Sequence, residues 1–251
     1  MMTNFRQWPL RRLFTGAGLL VLALATGCSS DPKPSPAGPG YATGKVVDTQ
    51  GRPLPGITVL LDNTAFFNTH LEGTTDANGM YRIRVTRGSW RAIAEYNRPY
   101  NGRVYRFDLE PSSMAAFTEE DAVVRDFTWK ITGPKSDPPG ALHGGWVDVH
   151  PDLMSGIQDR ENVDFTFKPV GPLVDGSTGT VLTRRVDLTT GTIADLPIGR
   201  YRITARYQGR PLKVRSRVDG AYTADGAATL DFYGREGQWS STNVLFLEYT
   251  E

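Results

Sequence analysis

Ligand-capable side chains are densest in the stretch 142–152. Alternate strand positions share a face, so Asp148 and His150 would point the same way, whereas His143 would reach them only through a turn at 144–145. No HxxH, HExxH or HxxE spacing occurs in the chain, and polar residues on an edge strand explain the pattern better. His143, Asp148 and His150 are therefore candidates for a metal site, but we expect neither a metal nor a cofactor.

Few other residues are suited to catalysis. The chain has three histidines and a single cysteine, and it contains no Gly-x-Ser-x-Gly sequence of the kind that carries a nucleophilic serine. The acidic run 119–121 is typical of a solvated face, although a pair of carboxylates that meets from distant positions stays open. Lys and Arg number 28 and Asp and Glu 27, which removes the charge-based case for nucleic-acid binding. We expect a protein that is not an enzyme.

Aromatic side chains offer a different chemistry, because flat rings stack against sugars and contact protein partners. A tryptophan beside alanine and isoleucine on a strand, such as Trp90, is typical of a core. Tyrosines flank the segment 97–102, which we expect to be a loop, and binding residues gather on loops held by rigid sheets. The candidates for a binding surface are Tyr96, Tyr100, Tyr105, Trp146 and Trp239.

The elements that would position these residues are strands and tight turns. Gly accounts for 27 residues and Pro for 17, a composition typical of short strands joined by turns. After the turn signal 76–79, Tyr81, Ile83 and Val85 alternate with polar residues, which is the period of a half-buried strand. The sequence therefore predicts an all-β fold.

Four sequence blocks follow one another between residues 44 and 90. They read GKVVD at 44–48, GxPLPGIxV at 51–59, TDANGxY at 75–81 and GxW at 88–90. This order resembles the carboxypeptidase regulatory-like domain, a prealbumin-like β-sandwich, and we assign it to residues 41–131. The resemblance implies an accessory module that brings no catalytic residues. The chain departs from the typical module at 63–72 and 110–121, where we expect any function particular to this protein.

The second half of the chain repeats landmarks of the first. The stretch 199–207 matches 88–96 in its Gly, Arg, Ala and Tyr positions, and an Asp-Phe pair also recurs at a similar spacing. A Pro- and Gly-rich stretch, 132–142, lies between the halves and is the predicted linker. We therefore predict two tandem prealbumin- or Ig-like β-sandwich domains, 41–131 and 143–251.

The first 40 residues are predicted to be a targeting signal followed by a flexible linker. Three arginines precede the apolar run 13–25, and the sequence LATGC that ends at Cys28 resembles a bacterial lipobox. The resemblance implies that 1–27 is a lipoprotein signal peptide and that Cys28 carries a lipid; an ordinary signal peptide with an incidental cysteine is the alternative. Residues 28–40, rich in Pro, Gly and Ser, would form a flexible linker. Residue 29 is serine and not aspartate, which resembles the pattern for sorting to the outer membrane of Gram-negative bacteria. In other bacteria, we expect the protein on the outer face of the cell membrane.

Together these features predict a lipid-anchored protein of the bacterial cell envelope that acts as a non-catalytic structural or protein-interaction module. Its partners would be the membrane, through the lipid on Cys28, and an envelope protein that contacts its loops or adds a strand to a sheet edge. The alternative is a lipoprotein that binds a polysaccharide by stacking exposed aromatic rings. A metal-dependent hydrolase built on His143, Asp148 and His150 is a third hypothesis.

Overall fold

The computed structural model describes residues 38–234 and 243–251. The predicted signal peptide, Cys28, most of the predicted flexible linker 28–40 and Trp239 lie outside the described residues. Within these two ranges, no helix has the length and apolar character that a membrane crossing requires.

The described residues form strands and turns almost throughout, which confirms the predicted all-β fold. A short 3-10 helix, Arg160–Asn162, is the exception among them. The strands are β1 Tyr41–Val47, β2 Thr58–Asn63, β3 His70–Thr74, β4 Met80–Arg84, β5 Trp90–Tyr100, β6 Arg103–Asp108, β7 Glu110–Pro111, β8 Val123–Val124, β9 Phe127–Thr128, β10 Gly145–Pro151, β11 Val163–Pro169, β12 Leu182–Arg184, β13 Thr192–Leu196, β14 Arg200–Tyr207, β15 Arg210–Ser216, β16 Ala228–Asp231 and β17 Val244–Thr250.

Strands β1–β9 form a sandwich of two sheets. One sheet has the order β4-β1-β9-β7, with β8 also beside β1, and the other has the antiparallel order β3-β2-β5-β6. Alternate residues are buried on strands of both sheets, as with Ala42 on β1 and with Val59 and Leu61 on β2. This arrangement follows from the period of two, which places every second side chain on the same face.

The turn before β4 shows how the local sequence sets the register. The Asp76 side chain accepts hydrogen bonds from the backbone N–H groups of Asn78 and Met80, at 2.8 and 2.9 Å. Gly79 has a φ of +70°, and a Cβ atom there would lie 2.6 Å from the carbonyl oxygen of Val46. Only glycine fits this combination of backbone angle and close approach, so the turn delivers β4 to its place beside β1.

Strands β10–β17 form one eight-stranded sheet with the order β12-β11-β14-β15-β17-β10-β13, and β16 also pairs with β14. β10 and β17 run in parallel, and β11 and β14 are antiparallel. Large aromatic side chains fill its core. Rings of Phe165 and Tyr249 meet at 5.5 Å and those of Phe167 and Tyr201 at 6.0 Å between centroids.

The two ends of the first sandwich differ in what they contact. At the entry end, where β1 begins, the backbone N–H groups of Gly40 and Gly88 donate to the carbonyl and carboxylate oxygens of Glu119. The loop after β2 reaches the same end, because the N–H of Thr64 donates to the carbonyl oxygen of Ser89 at 2.9 Å. The other end holds the end of β1 and the turn between β5 and β6. Residues at both places contact the second half of the chain. We call this end the junction end.

Candidate functional site

The five aromatic residues predicted as a binding surface are spread over both halves of the molecule. Tyr105 is 0% exposed, so the prediction is wrong for this residue: its ring is part of the core. Tyr96, Tyr100 and Trp146 are half-buried, and Trp239 lies outside the described residues.

The segment 97–102, predicted to be a loop, is mostly strand. β5 continues to Tyr100, and Pro99 lies opposite Val104 in the β5–β6 pair. Only Asn101 and Gly102 form the turn, with φ angles of 48° and 76°. Positive φ at both residues is typical of a two-residue hairpin turn, for which Asn-Gly is the preferred sequence.

Tyr100 and Asn101 bind the second half of the chain. The Tyr100 hydroxyl donates a hydrogen bond to the carbonyl oxygen of Pro172 at 2.8 Å and accepts one from the backbone N–H of Arg200 at 3.3 Å. The Asn101 amide donates to the Asp231 carboxylate at 2.9 Å. Burial raises the pKa of Tyr100, which keeps its hydroxyl protonated and able to donate. Tyr100, a side chain predicted to receive a partner, therefore binds a part of the same chain.

Two more hydrogen bonds extend this contact. The Tyr105 hydroxyl donates to the carbonyl oxygen of Phe232 at 2.7 Å, and the Thr49 hydroxyl donates to the Asp175 carboxylate at 2.8 Å. Burial raises the pKa of Asp175, but hydrogen bonds from Ser177 and Thr49 outweigh burial and hold this pKa below its ordinary value. We define the junction as Thr49, Tyr100, Asn101 and Tyr105 with their partners in the second half.

A cavity of about 210 Å³ lies beside β5, β6 and β7 and is closed in part by the predicted linker. Its lining includes Glu110 and His143, whose Oε2 and Nε2 atoms lie 2.9 Å apart. Ser136 donates its hydroxyl to the other oxygen of Glu110. The Lys135 ammonium lies 2.9 Å from the Asp108 carboxylate. These contacts hold the linker against the first sandwich.

Two titratable side chains of this cavity, Glu110 and His143, have shifted pKa values. Burial raises the pKa of Glu110, but hydrogen bonds from Ser136 and His143 outweigh burial, so the pKa lies below its ordinary value. Burial lowers the pKa of His143, and the neighbouring carboxylate opposes burial only in part. An activated serine would donate to histidine, whereas Ser136 donates to Glu110. The arrangement joins the linker to the sandwich and is not that of an activated nucleophile.

The three metal-ligand candidates do not share a site. Asp148 and His150 meet, with Oδ1 and Nε2 atoms 2.9 Å apart, and Asp148 also pairs with Arg217. His143 is 5% exposed and faces Glu110 in the cavity. Across 38–234 and 243–251, no group of three or more His, Cys, Asp and Glu side chains is placed to hold a metal ion.

Comparison with protein families bears on the first half of the chain. Residues 42–114 match the family of the carboxypeptidase regulatory-like domain. This segment is a carboxypeptidase regulatory-like domain. The resemblance expected from the sequence is confirmed, and the match ends in the segment 110–121, where the chain departs from the typical module.

Solved structures resemble the chain only distantly. The Bacillus anthracis TIE protein is 13% identical over 84% of this chain and 33% of its own, with a TM-score of 0.35. A streptococcal ancillary pilin is 14% identical over 83% of this chain and 61% of its own, with a TM-score of 0.25. A C-terminal fragment of the pilus adhesin SpaC from Lactobacillus rhamnosus GG is 13% identical over 85% of this chain and 97% of its own, with a TM-score of 0.25.

The chain thus spans about a third of the length of the first of these proteins and 61% of the second. No curated protein matches it in sequence.

Sequence reasoning missed two features of the regulatory-like domain. Glu110, which lies at the centre of the cavity contacts, carries no local motif. Phe66 and Phe67, in the loop between β2 and β3, are 68% and 100% exposed. A signal for them was available, because two adjacent phenylalanines stand inside the segment 63–72, where the chain departs from the typical module.

Proposed function

We propose that this protein is a lipid-anchored component of a bacterial cell envelope, in which the regulatory-like domain is a non-catalytic support for the second half of the chain. The junction is the observation that carries this proposal. Two of its side chains, Tyr100 and Tyr105, were candidates for a binding surface, and both donate hydrogen bonds to the second half. A domain whose polar and aromatic side chains bind the next part of the chain supports and positions that part.

The direction of the chain agrees with this role. The described chain begins at the entry end of the first sandwich, and the junction lies at the opposite end. The predicted lipid on Cys28 would therefore hold the entry end towards the membrane and leave the junction end pointing away from it. The second half would then be displayed at a distance from the bilayer.

Two strands of the second half continue in the direction from the entry end to the junction end. β10 and β17 pair in parallel from Trp146 opposite Val244, near the junction, to Pro151 opposite Tyr249 at the far end. The side chain of Asn243, just before β17, donates to the carbonyl oxygen of Arg106 in the first sandwich at 3.1 Å. The ends of these two strands thus lie a strand length away from this contact with the regulatory-like domain.

The loop after β10 displays two apolar side chains. Leu153 and Met154 are 99% and 89% exposed. The loop is held by a bond from the Asp152 N–H to the carbonyl oxygen of Tyr249 at 2.7 Å, and by one from the Met154 N–H to the Asp152 side chain at 3.0 Å. We call Leu153 and Met154 the distal tip. Apolar residues on a fixed loop suit contact with a protein, so we propose an envelope protein as the partner of this tip.

The anchor is tested by fractionation of cells that express the full chain. We expect the wild-type protein to appear in the membrane fraction and to incorporate labelled palmitate. We expect the Cys28→Ser variant to be absent from the membrane fraction and to remain unlabelled. Membrane association of both proteins without incorporation of the label would show that Cys28 is not the anchor.

The partner is tested by placing a photo-crosslinking amino acid at Met154 in the same cells. A discrete adduct with an envelope protein is expected. The matched control is the same amino acid at Val170, which is 44% exposed and lies at the opposite end of the second half, where its N–H donates to the carbonyl oxygen of Arg200 beside the junction. Equal crosslinking at both positions, or none at Met154, would contradict the assignment of the distal tip.

A further inference from the structure

The loop between β2 and β3 displays two adjacent aromatic side chains at the entry end. Phe67 is completely exposed and Phe66 is 68% exposed. Burial of a phenylalanine side chain is strongly favourable, so exposure of two neighbouring phenylalanines to water is costly. Large apolar groups held together in water mark a surface that contacts something else.

The loop is built to hold these rings outward. The side-chain oxygen of Asn63, itself 9% exposed, accepts hydrogen bonds from the N–H groups of Ala65 and Phe66 at 2.9 and 3.0 Å. The hydroxyl of Thr64 donates to that of Ser89 at 2.8 Å. Asn68, which follows the two rings, has a φ of 54°. The turn is fixed at its base and its tip points to solvent.

The position of the loop identifies what it faces. Ser89 ties the loop to the β4–β5 turn, and Gly88 in that turn donates to the carboxylate of Glu119. Gly40 donates to the carbonyl oxygen of the same glutamate. One short chain of contacts therefore joins the two rings to the place where the N-terminal segment enters the sandwich.

That segment is short. Gly38, the first described residue, follows Cys28 by ten positions, and even a fully extended chain of this length spans only about 35 Å. We propose that Phe66 and Phe67 insert into the interfacial region of the bilayer that holds the lipid on Cys28. This inference rests on the lipid anchor of the proposed function, and it adds a second contact that orients the regulatory-like domain on the membrane.

The charges around the loop indicate apolar insertion. Arg84 and Arg87 are exposed at this end, and Glu120 and Asp121 are exposed beside them. Positive and negative side chains are balanced, so the contact does not require anionic lipids. Two phenylalanines alone bind a bilayer weakly, but a second contact becomes effective once a lipid already holds the chain at the surface.

The test uses the full chain, processed in cells and reconstituted into phosphatidylcholine vesicles. The chain has one cysteine, which the lipid would occupy, so Phe67→Cys introduces a single free thiol for an environment-sensitive NBD label. A blue-shifted emission that is quenched by brominated lipids is expected at position 67. The matched control is Leu153→Cys with the same label, which is equally exposed but lies at the distal tip and is expected to report water.

A second pair of proteins removes the effect of the label itself. Thr69→Cys carries the label next to the rings, with and without Phe66→Ser and Phe67→Ser, and quenching at Thr69 is expected to be lost in the serine variant. Quenching that is equal with and without the rings, or emission from water at position 67, would overturn the inference. Protein that fails to float with the vesicles would instead show that the lipid anchor, and with it the proposed function, is wrong.

Discussion

Two turns with aromatic residues lie at opposite ends of the regulatory-like domain and differ in what they contact. At the junction end, Tyr100 precedes the Asn101-Gly102 turn and binds the backbone of the second half. At the entry end, Phe66 and Phe67 contact solvent. The two turns look alike in the sequence, because each places aromatic residues beside residues that favour tight turns.

The difference lies in what each turn faces. Pro172 and Asp231, which receive Tyr100 and Asn101, are 72 and 130 residues away in the chain. Such distant partners are invisible to local pattern analysis. An aromatic residue in a turn therefore indicates a contact but not whether the contact is with the same chain or with another molecule.

The largest effect is expected from Tyr105→Ala at the junction. Removal of a fully buried aromatic ring leaves a cavity and should lower the free energy of unfolding by about 3–5 kcal/mol. Tyr105→Phe keeps the ring and removes only the hydrogen bond to Phe232, so it should cost about 1–2 kcal/mol. Urea denaturation measures both, and a Tyr105→Ala protein as stable as wild type would mean that Tyr105 contributes nothing to the stability of the folded chain.

A smaller effect is expected from Tyr100→Phe. Loss of its hydroxyl leaves the carbonyl oxygen of Pro172 and the N–H of Arg200 without this partner, which should cost about 1 kcal/mol. The control is Tyr41→Phe at the entry end, where the tyrosine ring is covered by the Arg82 guanidinium at 3.3 Å and keeps that contact in the variant. Equal losses for both variants would remove the contrast between the two ends.

The His143–Glu110 pair predicts how stability depends on pH. The pKa of His143 is lower in the folded protein than the ordinary value of 6.5, so the unfolded chain binds a proton more readily. Stability from this group should be complete above about pH 6.5 and fall as the pH drops through and below that value. Glu110, with a pKa below 4.5, adds a second fall at more acid pH.

His143→Gln should remove the first of these falls and leave the second, because glutamine keeps a hydrogen-bond donor near Glu110 but does not titrate. The measurement is the urea midpoint at a series of pH values from about 3 to 8, which covers both falls. An unchanged pH profile in the variant would place the source of the first fall elsewhere.

The smallest effect on stability is expected from Phe67→Ser. The ring is fully exposed, so its removal should change the free energy of unfolding by less than about 0.5 kcal/mol. The same substitution is part of the variant that should lose membrane contact, so stability and contact are expected to separate. A loss of more than about 1 kcal/mol would show that the ring packs on the protein.

Local residue patterns were enough to predict the all-β fold, and the resemblance of the four blocks between residues 44 and 90 to a known family was enough to predict the regulatory-like domain. The alternation of Tyr81, Ile83 and Val85 with polar residues predicts β4, and the turn signal 76–79 predicts its start, because both depend on near neighbours in the chain. The segment 97–102 was predicted wrongly because its conformation depends on residues outside the segment. Its strand is completed by pairing with β6 and by contact with the second half, and neither is visible in the segment itself.

The sequence by itself determined the all-β fold, the regulatory-like domain and the segment 63–72 as a place of departure from it. Side-chain period and turn chemistry act over a few residues, so they are written in the local sequence. Only the tertiary structure decided that Tyr105 is core, that His143 faces Glu110, and that Phe66 and Phe67 stay exposed. Burial and pairing depend on which distant groups fold against a residue, and that is settled when the whole chain packs.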